Sequence, residues 1–262
     1  MGIKLRLKGY IRVEGEIKCL AGLHIGNPSD VIEIMGLENA IVKHPVSGIP
    51  YIPGSSLKGK MRALLELHSG RVNVNGDVHS PKDHANLFKV GECPVCRIFG
   101  VIGGAKTQDQ QQVKLGPSRL VVEDARLARI ESDGVRQDDL TQTEIKWENV
   151  INRISGTAEN PRQMERVPAG AVFTFAMSYR VFDMLGEDGQ PLNLPADEQG
   201  HLEAVPTDEE MFDSVLKAMR LVELDTLGGS GSRGYGKVSF GTVTVTYPAG
   251  QPEEVEIGRI TP

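Results

Sequence analysis

Cys93-Pro94-Val95-Cys96 sets two thiols three positions apart, and His79 and His84 precede them with four residues between. Cys-x-x-Cys brings two thiolates to one ion at a tight turn, and two imidazoles complete the tetrahedral set of a structural zinc site. His68 competes with His79 as a ligand. A free dithiol turn with surface histidines fits the same spacing. A thioredoxin-type redox pair fits less well, because no βαβ pattern surrounds it. The third cysteine, Cys19, falls in the apolar phase of a strand pattern and reads as a small core residue.

A second stretch with chemical character is residues 227–238, which hold five glycines with Arg233, Tyr235 and Lys237. Missing Cβ atoms at this density let backbone N–H groups approach a ligand. Gly229, Ser230, Gly231, Ser232 and Gly234 would form a cradle, Arg233 and Lys237 would supply positive charge, and Tyr235 a stacking face. That mixture suits a phosphodiester backbone, although plain turn chemistry between a helix and a strand gives the same glycines.

Gly54-Ser55-Ser56 opens a helix, with a serine as N-cap and Leu57, Met61, Leu64 and Leu65 on one face. Lys58, Lys60 and Arg62 crowd its first turns, where the helix dipole prefers anions. Such a start holds an external phosphate or is a solvated basic face. Residues 143–171 read as two extended arms around a polar tip, carrying Trp147, Arg153, Arg162, Met164 and Arg166. An exposed hairpin of this kind wedges between bases or grips phosphates; a hairpin folded onto its own body would instead bury Trp147.

The elements that position these residues alternate cleanly. Residues 5–19 have period two, residues 119–126 and 172–181 read as strands, and Thr207 and Glu210 form a capping box before a stripe at Phe212, Val215, Leu216, Met219 and Val222. A last strand covers 237–247. The order reduces to βαββαβ. The expected fold is α+β, with a ferredoxin-like or RNA-recognition-motif core in one domain spanning residues 1–262. On that core ride a zinc-binding insertion at 68–100, a protruding thumb hairpin at 127–171 and an acidic surface excursion at 183–206. The stretch from residue 20 to 53 lacks periodicity, which points to a functional loop.

Net charge is −6, yet residues 183–213 hold ten acids and no Lys or Arg, so the rest of the chain carries a basic excess of four. A mildly basic body behind one acidic segment is compatible with a nucleic-acid partner. No apolar run approaches the about 20 residues that span a bilayer, and Met1-Gly2-Ile3-Lys4 opens no signal core. The expected setting is cytoplasmic, with no membrane partner.

Four stretches together (residues 53–62, 143–149, 160–166 and 224–238) resemble the RAMP-superfamily backbone subunit of type III CRISPR–Cas effector complexes of the Csm type, subtype III-A or III-D. The likeness runs in family order from about residue 10 to 240. It implies an RNA-recognition-like core with a thumb, and several copies stacked as a filament along a CRISPR RNA. It implies contacts with a large signalling subunit, a small subunit and the subunit that binds the end of the CRISPR RNA. It also implies cleavage of complementary target RNA, dependent on Mg²⁺ or Mn²⁺. Residues 93–100 are similar to the family's zinc-binding insertion. In the loop where the family places its essential Asp, this chain has Glu38, which keeps the carboxylate and adds a methylene. Reaction geometry is sensitive at that scale. Asp30 is a substitute carboxylate, and His24 matches the His of the family's Gly-Leu-His-Ile-Gly. Asp124, Glu144, Glu148 and Glu165 match acidic positions of the family and are read as structural partners of neighbouring Arg and Lys.

Overall fold

A computed structural model describes residues 3–26, 39–101, 103–131 and 142–262. Asp30 and Glu38 lie outside the described residues.

The first strand, β1 (Lys4–Cys19), buries Ile11, Val13, Ile17 and Cys19 on one face and turns its charged residues to the other. Cys19 is therefore a core residue, and burial pushes its thiol up to about 12. After the 20–53 stretch come β2 (Tyr51–Ile52) and α1 (Gly54–His68). The cap of α1 differs from expectation. Pro53 occupies the N-cap without a side-chain bond, and the Asp124 carboxylate accepts from the Gly54 N–H at 2.8 Å. A carboxylate satisfies both an orphan N–H and the helix dipole, so neither Ser55 nor Ser56 is needed there.

Two short helices follow, α2 (Leu87–Gly91) and α3 (Pro94–Phe99). Residues beyond 100 remain attached to them, since the Gln108 and Asp109 amides donate to the carbonyls of His84 and Ala85. The insertion thus extends past the expected boundary at 100. Strands β3 (Leu120–Val122) and β4 (Ala125–Ile130) return to the sheet. The first residues of the expected 127–171 hairpin therefore belong to β4. The hairpin proper is β5 (Glu144–Ile151) against β6 (Ala158–Arg166), a two-stranded sheet of its own.

Next is β7 (Ala171–Leu185), paired antiparallel with β1 over nearly its whole length. The acidic excursion begins inside β7, and its small β8 (Asn193–Pro195)–β9 (Leu202–Ala204) hairpin is not free. Leu192 and Leu194 pack on Phe88 of α2, so the excursion braces the insertion. Helix α4 (Asp208–Leu224) starts at the expected capping box, with both reciprocal Thr207–Glu210 bonds in place. The chain closes with β10 (Val238–Ser239), β11 (Thr242–Thr246) and β12 (Glu253–Glu256).

Among the described residues the main sheet runs β12-β11-β1-β7-β4-β2, with every neighbouring pair antiparallel. α1 starts directly after β2, and α4 lies between the β8–β9 hairpin and β10. Leu57 and Met61 of α1 and Phe212, Val215 and Met219 of α4 join one cluster with the inward residues of β1, β7 and β11. No helix among the described residues is long and apolar enough to cross a membrane.

One polar node sits inside this apolar body. The Asp208 carboxylate, fully buried at the start of α4, binds Arg97 of α3 and takes Arg119 Nε at 3.0 Å. It also accepts the Phe182 amide of β7 at 2.9 Å. Removing one partner from a buried ion pair strands the others and costs about 3–5 kcal/mol. Asp208→Ala is expected to lose stability in that range in urea unfolding of the full chain. A loss below about 0.5 kcal/mol, typical of surface positions, would contradict the role given to this node.

Candidate nucleic-acid interface and metal centre

His79, His84, Cys93 and Cys96 are all buried, and one ligand atom from each lies within 4.8 Å of every other. The two Nε2 atoms are 2.8 Å apart, Cys93 Sγ is 3.4 Å from His79 Nε2, and Cys96 Sγ is 3.5 Å from His84 Nε2. Around one tetrahedral ion, bond lengths of about 2.0–2.3 Å give N–S edges of about 3.5 Å. The local chain explains the placement. Cys93 caps α3, Pro94 sits in its first turn, and the Cys96 amide points at Cys93 Sγ. The Cys96 thiol, opposed by burial and helped by the two histidines, drives Cys93 towards thiolate, while Cys96 itself is pushed up. His68 is exposed at the end of α1 and takes no part, so the choice of histidines falls on His79 and His84.

The glycine stretch folds back on itself around residues 20–24. Leu227 N–H bonds to Gly236 O at 2.8 Å, Gly236 N–H to Gly22 O at 2.9 Å, and Gly229 N–H to His24 O at 2.8 Å. Gly228 and Gly236 have φ of +78° and +72°, and a Cβ on either would run into a backbone carbonyl, that of His24 or of Leu227. These glycines are required by close backbone approach to the chain's own loop.

The hairpin then closes over this platform. Its register puts Glu144, Lys146, Glu148, Arg162, Met164 and Arg166 on one face and Ile145, Trp147, Gln163 and Glu165 on the other. The first face meets the glycine stretch. Glu148 takes Arg162 at 3.1 Å and Arg233 at 3.4 Å. Lys146 and Arg166 lie over the Tyr235 ring at 4.4 and 5.1 Å. Burial alone would raise the Glu148 carboxyl; the Tyr235 hydroxyl beside it, then Arg162, Arg233 and Lys146, outweigh burial and hold it below the usual carboxylate range.

His24 is buried beneath, its Nδ1 2.7 Å from the Glu165 carbonyl oxygen. A carbonyl only accepts, so Nδ1 carries the proton and the neutral ring keeps its lone pair on Nε2.

The RAMP superfamily model matches residues 16–239. The chain belongs to the RAMP superfamily. It is 36% identical to the CRISPR system Cms endoribonuclease Csm3 of Methanothermobacter thermautotrophicus, across 96% of this chain and 93% of that one. With the Csm3 endoribonuclease of Mycobacterium tuberculosis it shares 35% identity, across 92% of this chain and 90% of the relative. A chain of the type III-B Cmr-beta complex bound to cognate target RNA, seen by cryo-electron microscopy, superposes with a TM-score of 0.50 at 16% identity. That match covers 95% of this chain and 62% of the other, and it speaks to fold alone.

In this RAMP-superfamily chain, several expected RNA contacts have internal partners. Lys58 donates to Ser118 Oγ and Leu120 O, and burial, with Arg62 and Arg180 nearby, lowers its amine. Arg62 binds Glu66 and the His79 carbonyl, so it fastens the His/Cys cluster to α1. Lys60 pairs with Asp225 at 2.8 Å, beside the start of the glycine stretch. Lys237 caps the end of α4 through the carbonyls of Glu223 and Leu224. Tyr235 is 0% exposed and Met164 6%, so neither offers a face to a base. Trp147 is 59% exposed, on the outer hairpin face with Ile145, and is not a core residue. Ser55, Ser232, Arg233 and Gly234 are exposed, and Gly229 lies at the same rim. A groove of about 1020 Å³ lies elsewhere, along Glu14, His44, Tyr51, Glu123 and Arg126, and includes none of the expected contacts.

Sequence reading placed Glu144, Glu148 and Glu165 as partners of basic residues, and all three are: Glu144 with Arg166, Glu148 as above, Glu165 with Lys43. Asp124 serves instead as the α1 cap. The reading missed Arg97, Arg119 and Asp208, whose distance in sequence leaves no local signal.

Because the folded carboxyl of Glu148 is depressed, its contribution is present above the unfolded value and fades as pH falls through the folded one. The urea midpoint of the parent chain is expected to drop below about pH 5 more steeply than that of Glu148→Gln. Parallel profiles would contradict the hairpin clasp.

Proposed function

We propose that this chain is a guide-RNA-binding filament subunit of a type III CRISPR effector complex and that it cuts complementary target RNA within that assembly. The observation that carries the reading is identity of 35–36% with two proteins named Csm3 endoribonuclease, over more than nine-tenths of this chain. The strand order β11-β1-β7-β4 with two crossing helices supports a ferredoxin-like core. On that core, the insertion from residue 68, the hairpin and the excursion are the family's elaborations. Partners are the CRISPR RNA, the target RNA, further copies of the chain, and the large, small and guide-end-binding subunits, in the cytoplasm.

The RNA surface is made by the exposed Ser55, Gly229, Ser232, Arg233 and Gly234 and the half-buried Ser56, Lys60, Ser230 and Gly231, with Arg162 and Trp147 on the hairpin. Arg166, Tyr235, Met164, Lys58, Arg62 and Lys237 hold that surface from below. Phosphate contacts position the guide, and base pairing supplies sequence choice.

Cleavage is transesterification. The 2′-oxygen bonds to phosphorus as the P–O5′ bond breaks, and a 2′,3′-cyclic phosphate and a 5′-hydroxyl result. His24 Nε2 is the acceptor for the 2′-hydroxyl proton, and O5′ takes one from solvent. Mg²⁺ or Mn²⁺ held by the carboxylate of Glu38 or Asp30 would offset charge at the phosphate. Glu38 in place of Asp favours a second reading, a catalytically silent architectural subunit.

Incubating the assembled complex with complementary RNA and Mg²⁺ or Mn²⁺ separates the two. Cleavage that drops at least tenfold in Glu38→Ala, with guide binding intact, supports the first. An intact target with the parent complex supports the second. Cleavage unchanged in Glu38→Ala removes Glu38 from the chemistry.

The buried Cys₂His₂ set fits structural zinc. Purified chain is expected to carry about one zinc, and Cys93→Ser to lose it together with thermal stability. Zinc near zero in a folded, stable chain would overturn the assignment.

A further inference from the structure

We infer that Glu165 is a positioning residue that fixes His24 and the 39–43 segment against each other through all of its polar atoms. Its carbonyl takes His24 Nδ1 at 2.7 Å. Its amide donates to Asn39 O at 3.1 Å. One carboxylate oxygen accepts the Ile41 amide at 3.1 Å, and the other binds Lys43. The side chain is 3% exposed. Its neighbours extend the same seam, with Leu23 and Val167 exchanging amide–carbonyl bonds at 2.9 and 2.8 Å and Asn39 Nδ2 reaching Gln163 O at 3.1 Å.

The arrangement is specific to an ionised carboxylate. A buried anion must be paired and fully hydrogen-bonded to be tolerated, and the Ile41 N–H with the Lys43 ammonium provides that. The cost of losing either partner is what holds the 39–43 segment in place. The backbone carbonyl of the same residue sets the His24 tautomer, leaving Nε2 unprotonated in the neutral ring. Gly26 and Gly229 lie against that ring: a Cβ on Gly26 would stand 3.5 Å from Nε2, and one on Gly229 3.6 Å from Cδ2. Glu165 also belongs to β6, whose partner β5 carries the exposed Trp147. A shift of the hairpin against a ligand is therefore a shift of His24 and of residues 39–43. The hairpin, His24 and residues 39–43 are held together, and Glu165 is the joint.

The catalytic side of this inference rests on the RNA-cutting reading; the structural side does not. Two readouts keep them apart. In the full-length, zinc-loaded chain, hydrogen exchange of the Ile41 amide is expected to speed up at least tenfold in Glu165→Ala. The β1 amides of Ile11 and Val13 should stay as they are. In the assembled complex, the isosteric Glu165→Gln is expected to slow single-turnover cleavage at least tenfold, with guide and target affinities within twofold. Glu165→Asp should recover part of the rate. A merely structural role would lower affinity and rate together and would not split them. Unchanged Ile41 exchange in Glu165→Ala overturns the inference. So does an unchanged cleavage rate in Glu165→Gln. If the parent complex leaves target RNA intact, the cutting reading falls, and Ile41 exchange alone decides the clamp.

Discussion

A carboxylate buried between two guanidiniums holds the separate parts of this molecule in one frame. Asp208 begins α4, Arg97 lies next to Cys96 of the His/Cys cluster, Arg119 leads into β3, and the Phe182 amide belongs to β7. Each group alone would be costly in an apolar interior, and together they satisfy one another. Arg97 and Arg119 also donate to the carbonyls of Gly91, Pro206, Leu115 and Pro117. The segment that carries the His/Cys cluster is thereby fixed to the core from one side, and Arg62, bonded to the His79 carbonyl, fixes it from the other. Phe88 of the same segment forms a small apolar cluster with Leu192 and Leu194.

The same economy governs the side where the hairpin meets the glycine stretch. The glycine stretch bonds to residues 22–24 and to the inward face of the hairpin. Gly228 and Gly236 admit the carbonyls of His24 and Leu227. Glu148 gathers Lys146, Arg162 and Arg233. The result is a stiff base from which Trp147, Arg233 and the glycine rim project.

Much of this was legible in the residues because it is local. Period-two alternation in 5–19 and 172–181 marked β1 and β7. The Thr207–Glu210 box marked the start of α4, and Cys-x-x-Cys with two preceding histidines marked the metal cluster. What escaped was non-local. Lys58, Lys237 and Tyr235 looked like ligands because cations and an aromatic beside glycines suit RNA. Their partners (Leu120 O, the last carbonyls of α4, the cations of the hairpin) come from distant elements that no spacing rule reaches. The serine cap of α1 failed for the same reason, since Asp124, seventy residues on, takes the position. The acidic excursion, which carried no motif, turned out to brace the insertion through Leu192 and Leu194.

The central claim, that this RAMP-superfamily chain cuts RNA through a 2′-hydroxyl, is tested most directly by one substitution in the target. With the site of cleavage mapped in the assembled complex, a complementary RNA carrying a single 2′-deoxynucleotide at that linkage is compared with the all-ribose strand. Loss of cleavage at that linkage alone, with a 2′,3′-cyclic phosphate end on the all-ribose product and equal binding of both strands, is the expected result. Equal cleavage of both strands would contradict it.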